Sequence, residues 1–195
     1  LYVDNKYSAH STNRMKKDEL FRFVEEAVAA TRFLAEDEFR SLPEPEFYYK
    51  GGGPELNTFD AKLDSVDAKT KIDLANQVLN EAYKKDERII SVSSYYNDNI
   101  SHRVMVTSNG FKGDSANSGI GLAVSVSLKT ESGRPSDYWN ENALFFDKLK
   151  TIEIGTKALN KAIKKIDPKK IASGKYPVLI DNRVAANIGS PVFQA

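Results

Sequence analysis

The sequence predicts an α+β protein of two layers, in which a four-stranded antiparallel meander and a separate hairpin are covered by two to three helices. Three observations predict it. Between Asp86 and Asn140 the side chains alternate with a period of two, the spacing of a pleated strand. Three other stretches, 16–34, 65–85 and 152–166, carry apolar residues three and four apart, the spacing of one helix face. Asn109-Gly110 sits between two alternating runs, and a type I′ turn needs positive φ at both central residues.

Taken in order, Leu1–Asp4 and Tyr7–Thr12 read as hairpin arms around Asn5-Lys6, with His10 at a strand end. The helix over 16–34 is expected to lie on the sheet through Leu20, Phe23, Val24, Ala27, Val28 and Thr31, and Asp18 and Glu19 in its first turn suit the positive end of its dipole. From Ala35 to Leu63 periodicity ends, because Pro43, Pro45, Gly51, Gly52, Gly53 and Pro54 interrupt every longer element. Phe39, Phe47, Tyr48, Tyr49 and Phe59 are expected to pin this loop to the surface.

Ser65 is the expected N-cap of the second helix, whose stripe is Ile72, Ala75, Val78, Leu79 and Ala82. The meander then starts with Ile90, Val92, Ser94 and Tyr96, turns at Asn97-Asp98-Asn99, returns along His102–Ser108 and turns again at Asn109-Gly110. Its third strand, Ser118–Lys129, is the most ordered stretch of all. The even positions Ile120, Leu122, Val124, Val126 and Leu128 are large and apolar; Gly119, Gly121, Ala123, Ser125 and Ser127 are all small. One face therefore belongs to a core, and the other is flat enough for a helix, a partner chain or an extended peptide to approach. A turn at Glu131–Pro135 leads to a fourth strand, Asp137–Asn140. A third helix follows through Ala158, Leu159, Ala162, Ile163 and Ile166, with Pro168 ending it. Lys175–Asp181 reads as one more strand, and Val184–Asn187 as the start of another element.

Composition excludes several classes of function. With 28 basic and 27 acidic residues, no global field draws the chain to nucleic acid or anionic lipid. The lack of cysteine removes disulfides, thiolate metal sites and a cysteine nucleophile. No apolar run approaches the ~20 residues that span a bilayer. The chain opens Leu1-Tyr2-Val3 with no initiator Met and no signal-peptide core, and reads as a piece of a longer protein.

Motifs for chemistry are scarce. His10 and His102, the two histidines, stand in no metal-ligand spacing, no G-x-S-x-G elbow occurs, and Gly51-Gly52-Gly53 lacks the Lys-Ser/Thr of a phosphate loop. Lys157, Lys161, Lys164, Lys165, Lys169, Lys170 and Lys175 gather around the third helix, where a solvated face explains them. The best claim to binding belongs to Tyr95, Tyr96, His102, Tyr138 and Trp139 beside the flat row of Gly119, Gly121, Ala123 and Ser125. Sheets capture extended peptides through main-chain hydrogen bonds.

Ser8-Ala9-His10-Ser11-Thr12 before a helix, Asp86-Glu87-Arg88-Ile89-Ile90 before a strand, Ser108-Asn109-Gly110-Phe111, Asp137-Tyr138-Trp139 and Gly174-Lys175-Tyr176-Pro177-Val178 follow one another in this order. In that order and spacing, over nearly all of residues 1–187, the chain resembles the TldD/PmbA family, once called modulators of DNA gyrase, and its PmbA (TldE) branch above all. The resemblance implies a cytoplasmic assembly of two related subunits that cleaves peptides or unfolded chains in a shared cavity, degrading or maturing them. It also implies zinc on a His-Glu-x-x-x-His motif of the TldD-like subunit, and none in a PmbA-like one. This sequence has no such motif, because the subunit lacks it or because it lies elsewhere in a longer protein. By the same resemblance, 1–172 are the amino-terminal and central part of such a subunit and 173–195 begin its carboxy-terminal domain. No catalytic, metal or cofactor residue carries over. Two readings stand: a metallopeptidase subunit whose flat face is chamber wall or partner interface, in a heterodimer with a TldD-like subunit or a homodimer; or a regulatory protein that binds a nucleic-acid enzyme such as gyrase.

Overall fold

The computed structural model describes residues 1–193, so Gln194 and Ala195, the end of the expected carboxy-terminal stretch, lie outside the described residues. The chain forms two compact units: Leu1–Asn57 with His102–Ser115, and Thr58–Ser101 with the chain from Ala116 onward.

In the first unit, β1 (Tyr2–Val3) and β2 (Lys6–Tyr7) pair antiparallel. Asp4 and Asn5, at φ 51° and 58°, make the turn. The turn lies one residue earlier than the sequence suggests, because Asp and Asn adopt the left-handed region more readily than Lys. The arms are also shorter, and His10 follows the strands rather than ending one. Helix α1 (Lys17–Arg32) packs on this hairpin, burying Ala27 and Thr31, while Val24 points to solvent. The connecting loop holds one short turn, Pro45–Phe47. Phe39 and Phe47 are 92% and 72% exposed and do not pin it. Tyr49 does, as expected, by meeting Phe111 edge-on, and two further contacts help: the Arg40 guanidinium lies 4.2 Å from the Tyr7 ring centre, and the Tyr2 hydroxyl donates to the Arg40 carbonyl.

The second unit is built on β3 (Ile89–Val106), β4 (Lys112–Leu128) and β5 (Ser136–Ala143), in the order β3-β4-β5. The distal parts of β3 and β4, within 102–115, belong to the first unit. The sheet has three strands where four were expected, since Asn97-Asp98-Asn99 continues β3 instead of turning it. Alternation explains this: Val92, Tyr96 and Ile100 all pack against the core, leaving Asn97 and Asn99 to project from the other face, over glycines that give them room.

The even positions of β4 bury themselves with Val78 and Ala82 from α2 (Ala68–Asn80) and its end, and with Ile154, Ala158 and Ala162 of α3 (Ile154–Ile163). Each Val, Leu or Ile among them contributes roughly 1.5–3 kcal/mol on leaving water. Asp67, not Ser65, caps α2: its extended backbone lets the carboxylate accept from the Thr70 N–H at 2.9 Å, while Ser65 donates to the Lys62 carbonyl in a preceding turn. Ile72 faces solvent rather than the core. The Glu81 carboxylate joins the two helices by accepting from the Glu153 and Gly155 N–H groups, both at 2.8 Å.

A second clip holds β4 at Ser118. Asp60 accepts from the Phe146 and Lys62 N–H groups at 2.8 and 2.9 Å, which hold its carboxyl below the usual carboxylate range. Its own N–H donates to the Ser118 hydroxyl, which donates to the Leu144 carbonyl. Beyond α3, the strand expected over 175–181 does not form, and the next element is α4 (Asn182–Phe193), with Pro191 inside it. No helix among the described residues is long and apolar enough to cross a membrane.

Candidate functional site

With the apolar side of β4 buried, its small side faces away from α2 and α3. Gly121 pairs with Asn142 of β5, Ala123 with Asn140 and Ser125 with Tyr138. On the β3 side, Asn97 and Asn99 lean over Gly121 and Gly119: a Cβ built at Gly119 would stand 2.8 Å from Asn99 Oδ1, and one at Gly121 would meet Asn97 Oδ1 and lie 2.9 Å from Asn142 Oδ1. These amides stand where methyl groups would.

Every position of this face, from Ser91 to Ser101, Asn117 to Ser127 and Ser136 to Asn142, is Ser, Asn, Tyr, Gly or Ala. None carries a charge. Tyr95 and Tyr138 are its exposed aromatic groups. Such a face offers amide donors, amide acceptors and hydroxyls, a set that matches a polypeptide main chain. At the β5 edge a cleft sets Asp181 and Arg183 beside Tyr138, Asn140 and Asn142.

The residues singled out in the sequence thus fall into three places. Gly119, Gly121, Ala123, Ser125 and Tyr138 share the open face. Tyr96 and Trp139 stand on the opposite face, packed against the core. Burial first, and then the hydrogen bond its hydroxyl donates to Asp98, push the Tyr96 phenol above its ordinary value; Asp98 also pairs with Lys71 at 2.6 Å. Trp139 lies beneath cations: the Arg183 guanidinium is 3.7 Å from its ring centre, with Lys157 and Lys161 at 5.2 and 5.7 Å. Nearby, Asp137 holds Lys161 and Lys165 at 3.2 and 3.1 Å. Burial alone would raise the Asp137 carboxyl, but the Tyr138 N–H and the two ammonium groups outweigh it and hold it below the usual range. His102 falls in the stretch of β3 that belongs to the first unit.

Sequence reasoning missed Asn97 and Asn99, although the even spacing of Val92, Tyr96 and Ile100 signals a strand that does not stop. No local signal marks Arg183 as the partner of Trp139.

One Ser–His contact invites a nucleophile reading, and its hydrogen bonds run the wrong way. Thr31 Oγ1 donates to the Ala27 carbonyl at 2.6 Å, so the Ser8 hydroxyl donates to Thr31 and accepts from His10 Nε2 at 2.8 Å. A general base must accept the serine proton, and here His10 is the donor. Among the described residues no three His, Cys, Asp or Glu side chains converge as metal ligands.

Residues 61–166, more than half of the chain, match the PmbA/TldA metallopeptidase central domain. The chain belongs to the PmbA/TldD family. A metalloprotease PmbA homolog of Haemophilus influenzae is 27% identical over 190 residues, covering 96% of this chain and 42% of that protein. Among solved structures of PmbA/TldD type, a candidate modulator of DNA gyrase from Bacteroides thetaiotaomicron is 40% identical over the whole chain, which covers 45% of it, with a TM-score of 0.91. A like-named protein of Thermotoga maritima is 26% identical over 96% of this chain and 41% of its own, with a TM-score of 0.73. TldE from Thermococcus kodakarensis, 16% identical over 78% of this chain and 34% of its own, shares the fold with a TM-score of 0.61. The chain spans less than half the length of these relatives.

Proposed function

We propose that this chain is the amino-terminal and central part of a PmbA/TldE-type subunit, cytoplasmic, whose uncharged sheet face lines the chamber of a two-subunit metallopeptidase. The TldD-like counterpart holds the zinc, and the chain from residue 173 onward begins a further domain. The observation that carries the reading is the face itself: Asn97, Asn99, Asn140 and Asn142 flank a glycine-rich strand with no charge among them. An extended substrate meets the side-chain amides that stand over these glycines and is held by them through its main chain, whatever its side chains.

The test is peptide hydrolysis by the intact protein, alone and mixed with its TldD-like counterpart, with and without a chelator. Activity in the mixture alone, abolished by chelation, is the expected result. Chelator-sensitive activity of the protein by itself would place a metal site in its own chain. Replacing Gly121 and Ala123 together by Val should lower turnover by the mixture; unchanged folding with unchanged turnover would remove the face from the chamber wall.

The gyrase label of the Bacteroides and Thermotoga structures supports a second reading, a regulator that binds a nucleic-acid enzyme. Direct contact with phosphates would weaken steeply as salt rises. The basic helix gives it little support, since Lys161 and Lys165 already pair with Asp137 and Lys157 with Glu153.

A further inference from the structure

The turn between β3 and β4 brings together the groups for a reaction of the chain with itself. Asn109 stands exposed in that turn, and among the asparagines it alone precedes a glycine. Its side-chain oxygen accepts from the Thr107 hydroxyl and, at 3.4 Å, from the Phe111 N–H. Both donors draw electron density from the amide carbon, as donors around a developing oxyanion do. The amide nitrogen has no hydrogen-bond partner among the described residues. Gly110, at φ 92°, has open space around it: a Cβ built there would meet nothing within 4 Å. The Gly110 N–H donates to the Thr107 carbonyl at 3.1 Å, and a single exposed turn bond opens locally at little cost.

We infer that the fold leaves Asn109 open to spontaneous deamidation and backbone isomerisation while it restrains the other reactive asparagines, whatever the fate of the peptidase reading. The Gly110 nitrogen gives its proton to hydroxide and bonds to Asn109 Cγ. The bond from Cγ to the side-chain nitrogen breaks, and that nitrogen takes a proton from water and leaves as ammonia. Water opens the resulting five-membered succinimide at either carbonyl, which yields aspartate or, with the main chain routed through Cβ, isoaspartate. The sum is water in and ammonia out. Glycine favours the attack because no Cβ crowds its nitrogen. Asn117-Ser118 and Asn142-Ala143 have the next smallest following residues, and the fold holds both. Ser118 is buried, with its N–H donated to the Thr58 carbonyl at 2.9 Å. Asn142 and Ala143 lie within β5, paired with Gly121 and Ile120, so closing a ring there would break the ladder. Conversion at Asn109 adds a negative charge to the turn, and isoaspartate also lengthens its main chain by a methylene.

The test incubates the intact protein in mildly alkaline buffer, digests it at acid pH, where ring closure is slow, and maps the peptides by mass spectrometry. An isoaspartyl methyltransferase with a labelled methyl donor counts isoaspartate in the same samples. The peptide carrying Asn109 should gain about one mass unit, and native Asn109 should convert about tenfold or more faster than Asn117 or Asn142. Urea should speed Asn117 and Asn142, whose restraint is the fold, by more than it speeds Asn109. Gly110→Ala should slow conversion about tenfold, and Asn109→Ser should remove most of the methyl acceptor. Circular dichroism identifies a variant that has lost its fold, and the map of the unaltered chain decides the matter even if both variants fail to fold. Native Asn109 that stays intact, another asparagine that converts faster in the native protein, urea that speeds all three alike, or methyl acceptance undiminished in folded Asn109→Ser would each overturn the inference.

Discussion

The side-chain oxygen of Asn97 occupies the space that a Cβ at Gly121 would need, with Asn142 Oδ1 closing on the same point from β5. A strand that looks bare in sequence is therefore roofed on both sides by amides, and its flatness is what admits them. The obstructing atoms are the free ends of exposed side chains, which can swing toward solvent.

Gly121→Ala should for that reason be mild, costing under about 1 kcal/mol in urea denaturation. In an Asn97→Ala background the cost should fall further, because the tightest contact is gone and only Asn142 Oδ1, at 2.9 Å, still has to give. A larger penalty that ignores Asn97 would mean that backbone, not amide, fills the site.

Gly155 is the opposite case. A Cβ there would meet the Val78 carbonyl and lie 2.9 Å from Glu81 Cβ and 3.1 Å from the Ala82 nitrogen, all at the joint between α2 and α3. Backbone cannot swing aside, so Gly155→Ala should cost about 1–3 kcal/mol, read as a lower urea midpoint at an unchanged slope.

Acid should loosen the start of β3. Arg88 donates to both carboxylate oxygens of Asp86, and with the Arg88 N–H it lowers the Asp86 pKa to about 2. A folded-state pKa below the unfolded value of ~3.9 stabilises the fold above that value. The contribution is lost as pH falls from about 4 toward 2. Thermal melts over this window should decline less steeply in Asp86→Asn than in wild type.

Trp139 is the single tryptophan, so its emission reports on Arg183 directly. Arg183→Ala should red-shift the emission and increase quenching by acrylamide. Arg183→Lys should behave like Ala, since a point ammonium does not stack as a planar guanidinium does. Unchanged emission in Arg183→Ala would mean that the two groups do not meet.

Much of the fold was legible in the sequence because periodicity is a local property. The even positions of β4 had to be buried whatever covered them, and Ala158, Leu159 and Ala162 had to face that core. The fold class and the loop after α1 follow from the same kind of signal, as does the place of the reversal at Asn109-Gly110, although only Gly110 takes a positive φ there, so the turn is not of type I′. Family membership was legible too, as a succession of short motifs over most of the chain.

Tertiary structure alone decided the rest. Asn97-Asp98-Asn99 has the composition of a turn, and it stays extended because Gly119 and Gly121 on the next strand make room for its side chains. Lys175–Asp181 has the composition of a strand, and it pairs with nothing among the described residues, because a strand exists only where another offers its hydrogen bonds. Tyr96 and Trp139 were grouped with the small residues by sequence neighbourhood, and the pleat sends them to the other face. Local spacing determines which side chains share a side of an element; only the packed chain determines what stands opposite them.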